Sequence, residues 1–296
     1  MKPLIAVVGT NASGKSALGV ELALRHGGEV ISADSRQVFR GLDLGSGKIT
    51  RDEMRGVPHH LLDVCDAGEF FSMADYQRLA YAAVDGIHSR GRLPFLVGGT
   101  GLYVDSVTEG YIFSDIKPDL DYRNHLETFS TEELYRMLSE QVPGVQVDAK
   151  NRNRVMRMLE KLHDGDSVVP RREPRWRVLK LGVRWDKETL ARRIDERLEA
   201  RLGQGMIEEV ARLLDSGVSF EFLDKLGLEY RYIARYLTGA MPDRDRMLGE
   251  LSLAIKRFAK RQMTWFRRDP AIRWLDMTAD PLAEAEACIS AFLREP

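Results

Sequence analysis

This sequence predicts an α/β fold: a phosphate-loop (P-loop) core built on a doubly wound parallel sheet, with a helical insertion. Three observations carry that prediction. Residues 4–8, LIAVV, form an uninterrupted apolar run that ends at Gly9. There the run meets GTNASGKS, residues 9–16. Strand-like and helix-like stretches then alternate over the first hundred residues, the order that builds a parallel sheet with helices on both faces.

Taken in order, the apolar run at 4–8 lacks alternation, as expected of a strand buried on both faces. Residues 15–25 read as a helix, with Leu18, Leu22 and Leu24 turned inward and Gly27 and Gly28 closing it. A second strand over 29–33 delivers Asp34 at its carboxyl end. Residues 76–87 read as a helix, and 93–97 as a strand ending in Gly98-Gly99-Thr100-Gly101. Ligands of such sheets bind beyond the carboxyl ends of the strands, so Gly9, Asp34 and Gly98 are expected to meet at one site. Between about 114 and 177 the pattern turns helical, most clearly over 131–138 and 152–163, and closes with PRREPRWR. Residues 1–113 and 178–296 are therefore assigned to the α/β core and 114–177 to the insertion. A strand over 178–185 returns to the sheet. Amphipathic helices follow, with Ile194, Leu198, Leu202, Ile207, Val210 and Leu214 at helical spacing, and 272–275 is a short late strand.

Composition narrows the function classes. At 30% charged and 44% hydrophobic residues, the chain of 296 is an ordinary globular protein. The apolar run near the start is too short to cross a bilayer and no secretory cleavage pattern follows it, so no membrane partner is expected. Cys65 and Cys288 are the only cysteines, too few for a disulfide framework or a zinc site. They read as reduced thiols of a cytoplasmic protein. The net charge of −1 hides a segregation. Residues 150–184 carry eleven Lys and Arg against four Asp and Glu, and residues 256–273 carry seven against one. One such run is ordinarily a solvated helix face. Two of them in a near-neutral chain point to a polyanionic partner.

Gly9, Thr10, Asn11, Ala12, Ser13, Gly14, Lys15 and Ser16 fit G-x-x-x-x-G-K-[ST]. The glycines let backbone N–H groups turn toward phosphate oxygens, Lys15 neutralises them, and the Ser16 hydroxyl can ligate Mg2+. The pattern specifies phosphate or diphosphate binding without naming the compound. Asp34 has three readings: a magnesium ligand, a general base, or a cap on the next segment. Its neighbours Ser35, Arg36 and Gln37 favour a substrate role, since Ser35 and Gln37 suit the edge of a base. No Asn-Lys-x-Asp occurs, which argues against a GTP switch. His59 and His60 have no ligand-spaced partners and read as structural.

GTNASGKS, ISADSRQVFRGLDLGSGK, VPHHLLDV, GGTGLYVDSV and AKRQMTWFRRDPAIRWLD lie in this order over nearly the whole chain. Together they resemble the bacterial tRNA dimethylallyltransferases. The resemblance implies a magnesium-dependent transfer of a dimethylallyl group from dimethylallyl diphosphate to the N6 amine of the adenosine just 3′ of the anticodon. Residues 9–16 would hold the diphosphate. Asp34 would take a proton from the attacking amine, with Thr100 hydrogen-bonding beside it, once the base has left its stack. The tRNA, gripped by its anticodon stem-loop, would meet Asp34, Ser35, Arg36, Gln37 and Thr100 at the reacting base. Arg123, Asn153, Arg154 and Arg157 would hold it from the insertion, and Lys260, Arg261, Gln262 and Arg267 from the late basic segment. Asn153 stands where the family has Gln. Arg154 and Arg157, three apart on one helix face, would grip adjacent phosphates. Leu251, Ile255, Phe258 and Trp265 are expected on the buried side of the late helix, and Phe266 in the core.

The insertion is short for that family, and a monomer is expected. ATP would compete weakly, because its terminal phosphates resemble the diphosphate to the loop. Rival readings are a transferase for free adenine nucleotides, a small-molecule kinase, and an RNA-binding protein with the loop as a switch. A mononucleotide needs no distant basic surface, which argues against the first.

Overall fold

The computed structural model describes residues 1–113, 119–165 and 171–295. They form two compact units, Met1–Glu109 with Pro174–Pro296, and Gly110–Glu173.

The larger unit is built on six strands: β1 (Pro3–Val8), β2 (Glu29–Ser32), β3 (His59–His60), β4 (Pro94–Gly98), β5 (Arg177–Arg184) and β6 (Ile272–Asp276). They lie in the order β3-β2-β4-β1-β5-β6, every pair parallel. Val7 on the central β1 aligns with Val97 on β4 and Leu181 on β5. Strand side chains alternate between two cores, which explains why β1 is apolar throughout. Leu4, Ala6 and Val8 join one core, and Ile5 and Val7 the other.

Helices cover both faces. The first stretch supplies α1 (Lys15–Arg25), α2 (Arg51–Met54), α3 (Met73–Ser89) and α4 (Gly101–Thr108). The smaller unit holds α5 (Leu120–Glu127), α6 (Thr131–Gln141) and α7 (Arg152–His163). The return supplies α8 (Lys187–Gly203), α9 (Met206–Asp215), α10 (Phe220–Leu226), α11 (Leu228–Leu237), α12 (Arg244–Phe266) and α13 (Pro281–Arg294). Helices α1 and α13 bury Leu22 and Ile289 in one core, while α3, α4 and α12 bury Val84, Val104 and Leu251 in the other. The periodicity read over 194–214 is divided between α8 and α9, broken where Gly205 adopts φ 96°.

In the smaller unit, Leu126, Leu134, Leu138, Val155, Met156 and Leu159 form a separate core among the three helices. Tyr111 and Arg172 make an antiparallel bridge within it. The boundary expected at 114 lies outside the described residues. His59 and His60 form the edge strand β3, where the His60 ring lies 2.6 Å from Glu29 Oε2 and His59 Nδ1 lies 2.8 Å from the Val57 carbonyl. Among the described residues, no helix is long and apolar enough to cross a membrane.

Candidate active site

Adjacent parallel strands end at one edge, and their loops are tied together there. The Thr100 N–H after β4 donates to the Ala33 carbonyl after β2 (3.1 Å). Thr100 caps α4 but makes no side-chain cap bond. Its hydroxyl instead accepts the Ser35 N–H at 3.1 Å, joining the turn after β4 to the segment that carries Asp34. Asp34 Oδ1 accepts the Arg36 N–H at 2.9 Å. Gly99 lies so close to the phosphate loop that a Cβ there would come within 3.0 Å of the Gly9 carbonyl and 2.7 Å of Gln262 Nε2.

The phosphate loop is braced by its surroundings. Ala12 (φ 57°) and Gly14 (φ 87°) take left-handed conformations, the alternation that turns successive N–H groups toward an anion. Arg193 Nε donates to the Ala12 carbonyl (3.0 Å) and Trp185 Nε1 to the Ser13 carbonyl (2.9 Å). Thr10 and Ser13 are each only 1% exposed, and Ser13 Oγ donates to the Thr10 carbonyl at 2.8 Å. Gln262 lines the same pocket as Lys15 and Asp34. It is buried; its Oε1 accepts the Asn11 N–H at 2.9 Å and its Nε2 donates to the Gly99 carbonyl at 2.9 Å. It is a strut between two loops.

Lys15, Arg197 and Arg201 line one pocket together with Asp34 and Ser16. Burial, reinforced by Arg197, pulls Lys15 down to about 8, with Asp34 opposing the shift. Burial, then Arg201, lowers Arg197 to about 10, and burial also lowers Arg201. Clustered cations depressed in this way want an anion. The same pocket is also lined by the apolar side chains of Ile194, Leu198, Ile255 and Phe258. Phe258, expected on the buried side of its helix, thus forms a pocket wall. The Arg36 and Arg261 guanidiniums lie 5.2 and 5.5 Å from its ring centre. Arg36 also lies 3.4 Å from Glu229, a buried carboxylate. Gln37 donates Nε2 to the Gly47 carbonyl (3.2 Å) and accepts Ser32 Oγ on Oε1 (3.0 Å), which leaves one donor and one acceptor position unused by these bonds.

The remaining predicted contacts belong to the late helix and to the smaller unit. Lys260, Arg261 and Arg267 are exposed on and just beyond α12. Trp265 is only partly buried and donates Nε1 to Asp105 at 2.9 Å, whereas Phe266 is buried as expected. In the smaller unit Asn153 and Arg154 are exposed. Arg123 and Arg157 both bind Glu160, at 3.0 and 3.1 Å, and Glu160 is 1% exposed.

Sequence reasoning missed Arg193, Arg197 and Arg201. They recur every fourth residue along α8, beside Ile194 and Leu198. That spacing was readable, but in ARRIDERLEARLG it is masked by acidic residues that make the helix look solvated.

Comparison with known proteins follows the same lines. The profile of the IPP transferase family matches residues 37–269. A tRNA dimethylallyltransferase 1 of Geotalea uraniireducens is 44% identical over 96% of this chain and 95% of its own. A tRNA dimethylallyltransferase 2 of Pelobacter propionicus is 45% identical over 97% and 93%. Among solved structures, the tRNA isopentenylpyrophosphate transferase of Bacillus halodurans is similar with a TM-score of 0.78 at 37% identity, covering 100% of this chain and 98% of that one.

Proposed function

Because the chain belongs to the IPP transferase family, we propose that it is a tRNA dimethylallyltransferase, using dimethylallyl diphosphate to alkylate the N6 amine of the adenosine 3′-adjacent to the anticodon. The observation that carries the reading is the pocket itself. The cations Lys15, Arg197 and Arg201, the apolar side chains of Ile194, Leu198, Ile255 and Phe258, and Asp34 all line it. A diphosphate with a short branched hydrocarbon needs such a pairing of cations and apolar wall.

In the reaction, the amine nitrogen forms a bond to the allylic carbon as the carbon–oxygen bond to diphosphate breaks. Asp34 accepts the proton that the amine loses. The electron pair leaves with the diphosphate, whose growing charge is met by Lys15, Arg197, Arg201 and the N–H groups of residues 12–16. Thr100 fixes the segment 34–37 through Ser35, and Gln37 offers its remaining donor and acceptor to the base.

Magnesium fits this site. Ser16 brings a hydroxyl oxygen to the pocket, and among the described residues no group of three or more His, Cys, Asp or Glu forms a cage of its own. Magnesium bound through few protein oxygens, its own waters and substrate phosphates is its usual mode. Ser16 would hold it, and it would supply charge neutralisation of the diphosphate.

The exposed cations Arg154, Lys260, Arg261 and Arg267 suit the phosphates of the anticodon stem-loop. The reading carries with it a monomeric, cytoplasmic enzyme. Its test is dimethylallyl transfer to unmodified tRNA with nucleotide rigorously absent, beside a phosphate-release assay with ATP. Full transfer without ATP is expected. ATP turnover without transfer would instead identify a kinase.

A further inference from the structure

The segment LDLGSGK, residues 42–48, has no role in the account so far, yet Ser46 and Gly47 form part of the pocket wall. Behind it stands Glu209 of α9, a carboxylate 5% exposed. Its Oε2 accepts the N–H groups of Asp43 and Leu44, at 3.1 and 2.7 Å. Its Oε1 accepts the Gly45 N–H and the Tyr230 hydroxyl, both at 3.0 Å. A charged acceptor that binds three successive backbone N–H groups holds that turn in one shape. The packing is as tight as the bonding: a Cβ on Gly45 would come within 2.6 Å of the Tyr230 ring. On the pocket side, Gly47 has φ 62°, and a Cβ there would collide with the guanidiniums of Arg197 and Arg201.

The carbonyl of Gly47 accepts two bonds, from Gln37 Nε2 at 3.2 Å and from Arg197 Nη2 at 3.3 Å. One main-chain oxygen therefore orients a residue on the base side and a residue on the diphosphate side. We propose that Glu209 is a positioning residue for the transfer: by clamping residues 43–45 it sets the Gly47 carbonyl, and through it aligns Gln37 with Arg197. This rests on the function proposed above. Glu209 touches neither substrate. It acts on the relative placement of the two substrates, where displacement of about 1 Å costs on the order of 10²-fold in rate.

Glu209→Gln keeps the shape but presents an N–H group to donors that need an acceptor. Purified wild type, Glu209→Gln, Arg197→Lys, Gln37→Ala and the two double variants with Glu209→Gln are compared by kcat/KM for transfer to an anticodon stem-loop. Glu209→Gln is expected to lose on the order of 10²-fold. Each double variant should lose clearly less than the product of its two single losses, because Glu209 works through both partners. Losses that multiply would overturn the proposal, since a purely structural residue lowers the folded fraction independently of any other change. Wild-type activity in Glu209→Gln would overturn it as well. If Glu209→Gln does not fold, Gly45→Ala enters the same cycles, displacing the loop from Tyr230 without touching the charge. Its losses must be sub-multiplicative with both partners for the proposal to stand. Failure of the wild type to transfer at all would overturn the underlying function instead.

Discussion

The cations of the pocket and the cations of the helical unit look alike in sequence, and their partners separate them. Arg197 and Arg201 sit beside the phosphate loop without an ion pair among the described residues, and burial lowers both. Arg123 and Arg157 divide the two oxygens of Glu160 inside the smaller unit. A desolvated cation with no carboxylate of its own is costly in the free protein, and that cost is relieved when an anion arrives. A cation resting on a buried carboxylate already has a structural partner. Charge alone, then, does not mark a binding residue. The state of its partner does.

The comparison breaks first if the pocket is not the reaction site. Asp34→Asn should lower the single-turnover rate of transfer by about 10²–10⁴-fold while tRNA affinity, measured by filter binding, changes little. Loss of magnesium binding in that variant would move Asp34 from base to metal ligand.

The next effect sharpens the pocket side. Lys15 is held down to about 8, so it carries its charge below that pH and loses it above. Diphosphate binding needs the charged form. The value of kcat/KM for the donor should therefore be flat below about pH 8 and fall as pH rises through it, tenfold per unit at the limit. Lys15→Arg should carry the falling limb to higher pH. A wild-type limb unmoved by Lys15→Arg would assign the titration to another group.

Smaller effects belong to the helical unit. Arg157→Ala removes one of two partners from a buried carboxylate and should cost about 1 kcal/mol, seen as a lowered Tm. Arg154→Ala should leave the Tm unchanged and reduce the salt slope of tRNA binding by about one, as expected for one lost phosphate contact. If instead Arg157→Ala changed only the salt slope, the division between the two arginine classes would fail.

Much of this was legible along the chain, for identifiable reasons. Strands β1 and β4 are runs of apolar residues because both faces are buried, and such runs need no context to be read. The phosphate loop is legible because its backbone conformation restricts residue type. Strand β3 was not, since a two-residue edge strand of histidines has no periodicity. Gln262 reads as one more polar residue in a basic stretch, and only the contacts reveal a strut linking Asn11 to Gly99. Phe258 falls on the apolar stripe of α12, but that stripe runs past the core edge into the pocket. Glu209 and the arginines of α8 sit in strongly charged helices, where sequence gives no sign of which side chains turn inward.

The central proposal is that Arg197, without an ion pair among the described residues, serves the diphosphate, whereas Arg157, tied to Glu160, serves the fold. Calorimetric titration of inorganic diphosphate in the presence of magnesium tests it without requiring turnover. Arg197→Ala should bind at least about tenfold more weakly than wild type, a loss of about 1.4 kcal/mol or more, and Arg157→Ala should bind as wild type does. Equal affinity in Arg197→Ala and wild type would contradict the account.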